Sequence, residues 1–293
     1  MNFTKSIETD RKLYLIIFLA AVGLFFYSNL FAQSRTIHEK TFDVSPGQLL
    51  ELETSTGDVN IKTWSKNELY VKVLGNRKAE DKMEFDFYET SDGVKIKAEK
   101  EGGWTSSWFN WGRGFDLKFI IKLPEEFNLN VRTSGGDIDV TNLEGTAKLH
   151  TSGGDIELLN YSGDASLHTS GGDIVCENSG GKLDVHTSGG DINLSSANGE
   201  VYASTSGGDI ELDYTGNNEG IELKTSGGDI MVDVPSDLEA DVYLKTSGGR
   251  IRCDVDGMKE MNKTKSKLSG TLNGGGKSFE CKTSGGDIKV RTF

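Results

Sequence analysis

Two columns of side chains in this chain could do chemistry, and both recur at a fixed interval. Aspartates follow a Gly-Gly pair at Asp137, Asp155, Asp173, Asp191, Asp209, Asp229 and Asp287. Histidines His150, His168 and His186 stand just before the Thr-Ser that opens the same motif. Glycine-aspartate nonapeptides hold calcium in toxin-type β-rolls through hard oxygen ligands, which makes Asp155, Asp173 and Asp191 candidate ligands. A ladder of imidazoles beside carboxylates suits a transition metal or a proton-sensing switch. A third candidate is aromatic: Trp104, Trp108, Phe109 and Trp111 lie between Gly102 and Gly114, with three of the four tryptophans inside eight residues. Such rings can form a platform for a glycan, a hydrophobic partner or a membrane interface.

Each candidate has a plainer counterpart. In the β-roll pattern Asp stands sixth in the nonapeptide, whereas here it stands third and Ile takes the place of a glycine, so the calcium spacing is wrong. The histidine column holds Arg132, Ser204, Lys224, Lys245 and Lys282 in other units, as a generic outer position would. The tryptophan stretch could be a flap over the end of the fold. Cys176, Cys253 and Cys281 occupy positions otherwise held by small apolar residues, so they read as core, although a Cys253–Cys281 bridge is compatible with export. Catalytic signatures are missing from the sequence: there is no Gly-x-Ser-x-Gly elbow on a strand-to-helix turn, no phosphate loop and no His-Glu-x-x-His. The reading is therefore no catalytic residue and no cofactor, with calcium carried as the alternative.

The elements that position these residues follow from the repeat. Thr-Ser-Gly-Gly-Asp-Ile starts at 133, 151, 169, 187 and 205, every 18 residues, and returns at 225 and 283, with Thr-Ser-Gly-Gly-Arg-Ile at 246. A strict period of this kind marks a stacked-repeat fold. Each unit holds two short alternating strands and two bends, with Ile138, Ile156 and their equivalents facing inward beside Val140, Leu158 and theirs. Val131, Leu149 and Leu167 face them from the other half. A flat antiparallel meander would leave one apolar face of its sheet uncovered, because no helix or second strand set is available to bury it. The pattern predicts an all-β, single-stranded parallel β-helix of about 18-residue coils at 125–293, with a loop insertion at 256–276. A strand-rich cap region is expected at 35–124, with the tryptophan-rich loop at 102–114. Stacked aspartates about 4.8 Å apart repel; the simplest expected offset is pairing with the Arg132/His150/Lys224 column, and Asp can also cap its own turn through backbone amides.

Residues 1–34 read as a secretory signal: Lys5, Arg11 and Lys12 precede an apolar run from Leu13 to Tyr27, and Ala32 offers a small residue for cleavage. Uncleaved, Leu13 to Ala32 is long enough to span a bilayer, and the protein would contact membrane through that segment alone. The net charge of −13 argues against a nucleic-acid partner.

Taken together, Thr54-Ser55-Thr56-Gly57-Asp58-Val59-Asn60-Ile61, Ile121-Lys122-Leu123-Pro124 and the serial Thr-Ser-Gly-Gly-Asp-Ile units resemble the bacterial putative-adhesin family of β-strand-repeat proteins over about 36–293. The resemblance implies an exported, non-enzymatic, β-helical protein of the periplasm, cell surface or surroundings, whose partner is an envelope or surface ligand, glycan or protein. A polysaccharide-cleaving enzyme on a β-helix and a calcium-stabilised scaffold are the rival readings. Function is expected where the repeat breaks, at Trp104–Trp111 and Asp256–Gly276. Coil and meander are separable by a His150→Cys, His168→Cys pair. It forms a disulfide if those positions are neighbours, and none if they lie two strands, about 9.6 Å, apart.

Overall fold

Alternation of apolar and polar residues shapes nearly every element, because a strand buries every second side chain. The structure, a computed structural model, describes residues 34–100 and 114–293. The first strands are β1 (Arg35–Asp43), β2 (Leu49–Thr54), β3 (Asp58–Trp64) and β4 (Glu68–Gly75). A short helix, α1 (Arg77–Lys82), follows, with the Asn76 side chain accepting the Ala79 amide as its N-cap. Next come β5 (Met83–Thr90), β6 (Gly93–Lys100), β7 (Leu117–Pro124), β8 (Asn128–Thr133) and β9 (Ile138–Glu144). Strand pairs then recur: β10 (Ala147–His150) with β11 (Ile156–Ser162), and β12 (Ala165–His168) with β13 (Ile174–Gly180). They continue as β14 (Leu183–His186), β15 (Ile192–Asn198), β16 (Val201–Ser204) and β17 (Ile210–Tyr214). The last are β18 (Ile221–Lys224), β19 (Ile230–Val234), β20 (Ala240–Lys245), β21 (Ile251–Asp254), β22 (Met258–Lys263), β23 (Lys267–Leu272), β24 (Ser278–Lys282) and β25 (Ile288–Thr292).

These strands build a 12-stranded and a 13-stranded sheet. Setting aside the antiparallel strands at the ends leaves ten coils, each contributing one strand to each sheet. The stacking is parallel and in register, with His150 opposite His168 and Ile156 opposite Ile174. That register excludes the meander and gives the all-β solenoid expected from the period. The inward columns meet between the sheets: Ile138, Ile156, Ile174, Ile192, Ile210, Ile230 and Ile288 are buried, as are Val131, Leu149 and Leu167. Each such side chain contributes about 1.5–3 kcal/mol of transfer free energy. Ile251 and Cys253 are half-buried, because β21 is an edge strand. The three cysteines are free, and burial pushes the Cys176 thiol up to about 11.

Both ends of the stack are threaded out of sequence order. At one end β2 and β3 lie between the β6/β7 coil and the β8/β9 coil, so the first coil in sequence is second in space. At the other end β24 and β25 slip between the β18/β19 coil and the β20/β21 coil, so the last coil in sequence is second from the end. The strand-rich region read at 35–124 thus continues the same two sheets without a break. The segment 256–276 is not the expected loop. Its β22 and β23 form an antiparallel hairpin, and β23 pairs antiparallel with β20 to extend the 13-stranded sheet. The alternating Leu268, Gly270 and Leu272 are buried, a strand signal that the Lys/Asn/Ser-rich composition obscures. β1, β4 and β5 supply antiparallel strands at the opposite end.

The two glycines of the motif do different work. A Cβ on Gly172 would stand 2.0 Å from the Gly154 carbonyl oxygen of the preceding coil, and one on Gly190 would stand 2.0 Å from that of Gly172. On Gly171 the nearest atoms would be 3.7 Å away, an ordinary contact. Gly172→Ala therefore costs about 1–3 kcal/mol or more through overpacking against backbone, while Gly171→Ala is neutral or stabilises by up to about 1 kcal/mol. Denaturant midpoints of the two variants, measured against the parent, check this ordering.

Candidate functional site

The aspartate column is a hydrogen-bond ladder. The Asp155 amide donates to Asp137 Oδ1 at 2.9 Å, and that of Asp173 to Asp155 Oδ1 at 2.8 Å. The same bond links Asp191 to Asp173, Asp209 to Asp191, Asp229 to Asp209 and Asp287 to Asp229, at 2.7–2.8 Å. A hydrogen bond to a charged group contributes about 1.5–3 kcal/mol, whereas neighbouring carboxylates about 4.8 Å apart in water repel by roughly 0.9 kcal/mol. All of these residues but the half-buried Asp287 are exposed, so the water figure applies and the bond wins.

The expected pairing with the basic column is therefore corrected. Among the described residues no ion pair joins Arg132, His150, His168, His186, Lys224, Lys245 or Lys282 to these aspartates. Where the column is paired, its partner lies two residues earlier on the same face of the same strand: His186 Nε2 is 3.0 Å from Asp184 Oδ1, Lys224 pairs with Glu222, and Lys282 with Glu280. Arg250 marks the end of the ladder. Its amide donates to Asp287 Oδ1 at 2.7 Å and its guanidinium lies 3.6 Å from Asp287 Oδ2. The coil that carries it is the last in the stack. A carboxylate there would have no following amide to accept, and an arginine offsets the charge below it.

A second ladder comes from the buried threonine of the motif. Thr169 Oγ1 donates to the Gly154 carbonyl at 2.8 Å and accepts the Gly172 amide at 3.3 Å, so one hydroxyl joins adjacent coils and closes its own corner. Thr151, Thr187, Thr205, Thr225, Thr246 and Thr283 repeat the arrangement. Within β9, β11 and β13, Asn142, Asn160 and Asn178 kink the strand with positive φ of 62°, 54° and 52°, and Asn160 and Asn178 each donate a side-chain amide to the asparagine before. Sequence reasoning missed both. An alcohol kept in a column that otherwise tracks the core was the available signal for the first, and Asn recurring every 18 residues was the signal for the second.

Asp155, Asp173 and Asp191 thus each commit an oxygen to the next coil. Among the described residues no group of three or more His, Cys, Asp or Glu side chains converges on one point. The histidines do come together, as a stack. The His150 and His168 rings are 4.9 Å apart and 20° from parallel, His168 and His186 are 6.0 Å apart, and His186 lies 5.1 Å from the Tyr202 ring. His186 Nδ1 is also 2.6 Å from Ser204 Oγ. Around the first two rings lies an open depression of about 280 Å³, lined by Asn130, Arg132, Lys148, Leu149, His150, Ser166 and His168. Partial burial, then the charges of His168 and Arg132, hold the His150 imidazole below its ordinary value.

Trp104, Trp108, Phe109 and Trp111 lie outside the described residues. The strands that flank them are placed: Ala98 pairs with Thr54 and Lys118 with Asp58. Asp256–Gly276, the other break in the repeat, is an end strand pair.

The sequence profile of the Toastrack DUF4097 family matches residues 48–291, nearly the whole solenoid. The chain belongs to this family. No protein of curated function matches it. Among solved structures, the Toastrack chain is similar to a putative adhesin from Bacteroides fragilis at 13% identity, covering 87% of this chain and 96% of that one with a TM-score of 0.49. It is also similar to a putative cell adhesion protein from Clostridium sporogenes at 14% identity, 88% and 100% coverage and a TM-score of 0.27. A putative lipid binding protein from Parabacteroides distasonis matches at 15% identity, 89% and 98% coverage and a TM-score of 0.35.

The geometry of this Toastrack stack fixes the sign of one pH effect. A folded imidazole held below 6.5 contributes stability that is present above that value and is lost as pH falls through the lowered folded value. Proton titration of the His150 ring by NMR is expected to give a midpoint below 6.5, and Arg132→Gln is expected to raise it by removing a neighbouring positive charge.

Proposed function

We infer that this chain is an exported, non-enzymatic module of the bacterial cell envelope that binds a surface ligand or lends structure there. The observation that carries the reading is the fate of the repeated polar groups. Thr and Asp of the hexapeptide, present in eight and seven of its eight copies, are consumed in bonds between coils and are not gathered around a reacting atom. What is left for a partner is the outward surface of two long sheets, together with the tryptophan-rich stretch of the sequence, Trp104–Trp111. An apolar N-terminal run with preceding lysine and arginine supports passage through the inner membrane and cleavage after Ala32. The mature protein then resides in the periplasm, at the cell surface or outside.

Mass spectrometry of the mature chain is expected to find Gln33 at its start; an intact Met1 would replace cleavage with an anchor. The mature protein is expected to bind on a glycan array or to retain a partner from envelope extract, with binding lost in Trp108→Ala. Turnover of a polysaccharide that a single carboxylate substitution abolishes would overturn the non-enzymatic reading.

A further inference from the structure

The outward face of the 13-stranded sheet carries a gap in its acidic charge. On β2 the outward residues are Glu51 and Glu53, held by Lys95 at 2.6 Å and Lys97 at 3.7 Å. On β14 the pair is Asp184 with His186. On β18 and β24 it is Glu222 with Lys224 and Glu280 with Lys282. Between β2 and β14 stand three adjacent strands, β8, β10 and β12. Their outward positions are Asn130 and Arg132, Lys148 and His150, Ser166 and His168. None is a carboxylate, in a chain whose net charge is −13. Arg132 and Lys148 make no ion pair among the described residues. The same residues line the depression of about 280 Å³.

We propose that this window, built from Arg132, Lys148, His150, Ser166 and His168, is a binding site for an oxyanion group that also carries a hydroxyl, such as the acidic sugar of a glycan. Arg132 and Lys148 supply two fixed positive charges and the Ser166 hydroxyl a neutral donor. Guanidinium donors match an oxyanion in geometry as well as charge. Asn130 adds the argument for the hydroxyl. Its side-chain amide, beside Arg132 on β8, lines the same depression and carries both a donor and an acceptor for a ligand hydroxyl. The site sits beside carboxylates that already have partners, since Glu51 and Glu53 are each engaged by a lysine and Asp184 lies against His186.

Binding is stronger in acid. The charged and titratable groups that face His150 are Lys148 on its own strand, Arg132 on β8 and His168 on β12, with Asp184 and His186 one strand further and Glu51 and Glu53 beyond Arg132. At pH 8 the window holds the two fixed charges. Protonated imidazole adds positive charge to the window, and an anion seated between the rings offsets it.

The test uses the mature chain, with sulfate as probe because its charge is constant between pH 5 and 8. Backbone NMR shifts at 131–133, 147–151 and 165–169 are followed at pH 5.5 and pH 8. Sulfate is expected to perturb these residues selectively and to bind at least about tenfold more tightly at pH 5.5. Arg132→Gln with Lys148→Gln abolishes the effect, whereas Lys245→Gln with Lys267→Gln, at the far end of the same face, leaves it intact. His150→Gln with His168→Gln retains pH 8 binding and loses the acid gain. A sulfated dextran that binds more tightly than sulfate, with neutral dextran inert, supports the glycan source; free sulfate binding as well as the polymer reduces the site to a small-anion site and overturns that part. Perturbation spread evenly over every lysine and arginine, unchanged in Arg132→Gln with Lys148→Gln, overturns the site itself. The side chains all point outward, and an unchanged denaturant midpoint confirms that the variants fold.

Discussion

The distance between coils is the constraint from which the rest of this molecule follows. Parallel strands stack about 4.8 Å apart. At the Gly-Gly corner the backbone of one coil closes on the carbonyl of the coil below until there is no room for a single carbon: 2.0–2.1 Å at Gly154, Gly172, Gly190 and Gly208. With the corners held that close, an aspartate side chain reaches the next amide and a threonine hydroxyl reaches the previous carbonyl. The motif is thus one device. Ile anchors the core, the second Gly permits contact, and Thr and Asp bond across it. An Asp on an exposed corner would be a source of repulsion at any spacing that did not also present an amide.

The ends of the stack answer a different problem. A coil at the end of a solenoid exposes unpaired backbone and half a core, and it invites association with another chain. Here one end is covered in both sheets by antiparallel strands, β1 and β4 on one and β5 on the other, while at the far end β22 and β23 extend the 13-stranded sheet and β21 is left as the edge of the 12-stranded one. The neighbouring coil is also locked by threading, so neither terminal coil can peel away without displacing strands distant in sequence. These pairings are the least local in the fold, and closing them costs chain entropy that the inner coils avoid.

Much of this was legible in the sequence. The 18-residue spacing and the columns of Ile138 through Ile230 specify parallel stacking, because only a coil buries that face unaided. The strands from Arg35 to Pro124 could be read from alternation alone. What could not be read was order in space. β24 and β25 carry the same motif as every other coil, and nothing in Thr283–Val290 says that they lie inside β20 and β21. The candidate site was visible in part: the His150, His168, His186 column was seen, but its neighbours were assigned to the wrong aspartates. Which carboxylate a cation meets depends on which residues share a face, and i and i+2 on one strand win over residues beyond a bend.

The threading of the two ends has a consequence for how such a molecule can change over generations. Adding a repeat at either terminus would mean re-threading a strand pair that is already enclosed. Between β8 and β19 each coil touches only its neighbours, and the five inner copies from 133 to 205 keep strict 18-residue register. Length can therefore grow or shrink by whole coils in the middle while both closures stay as they are. The protein is built like an extension table, with fixed ends and removable leaves.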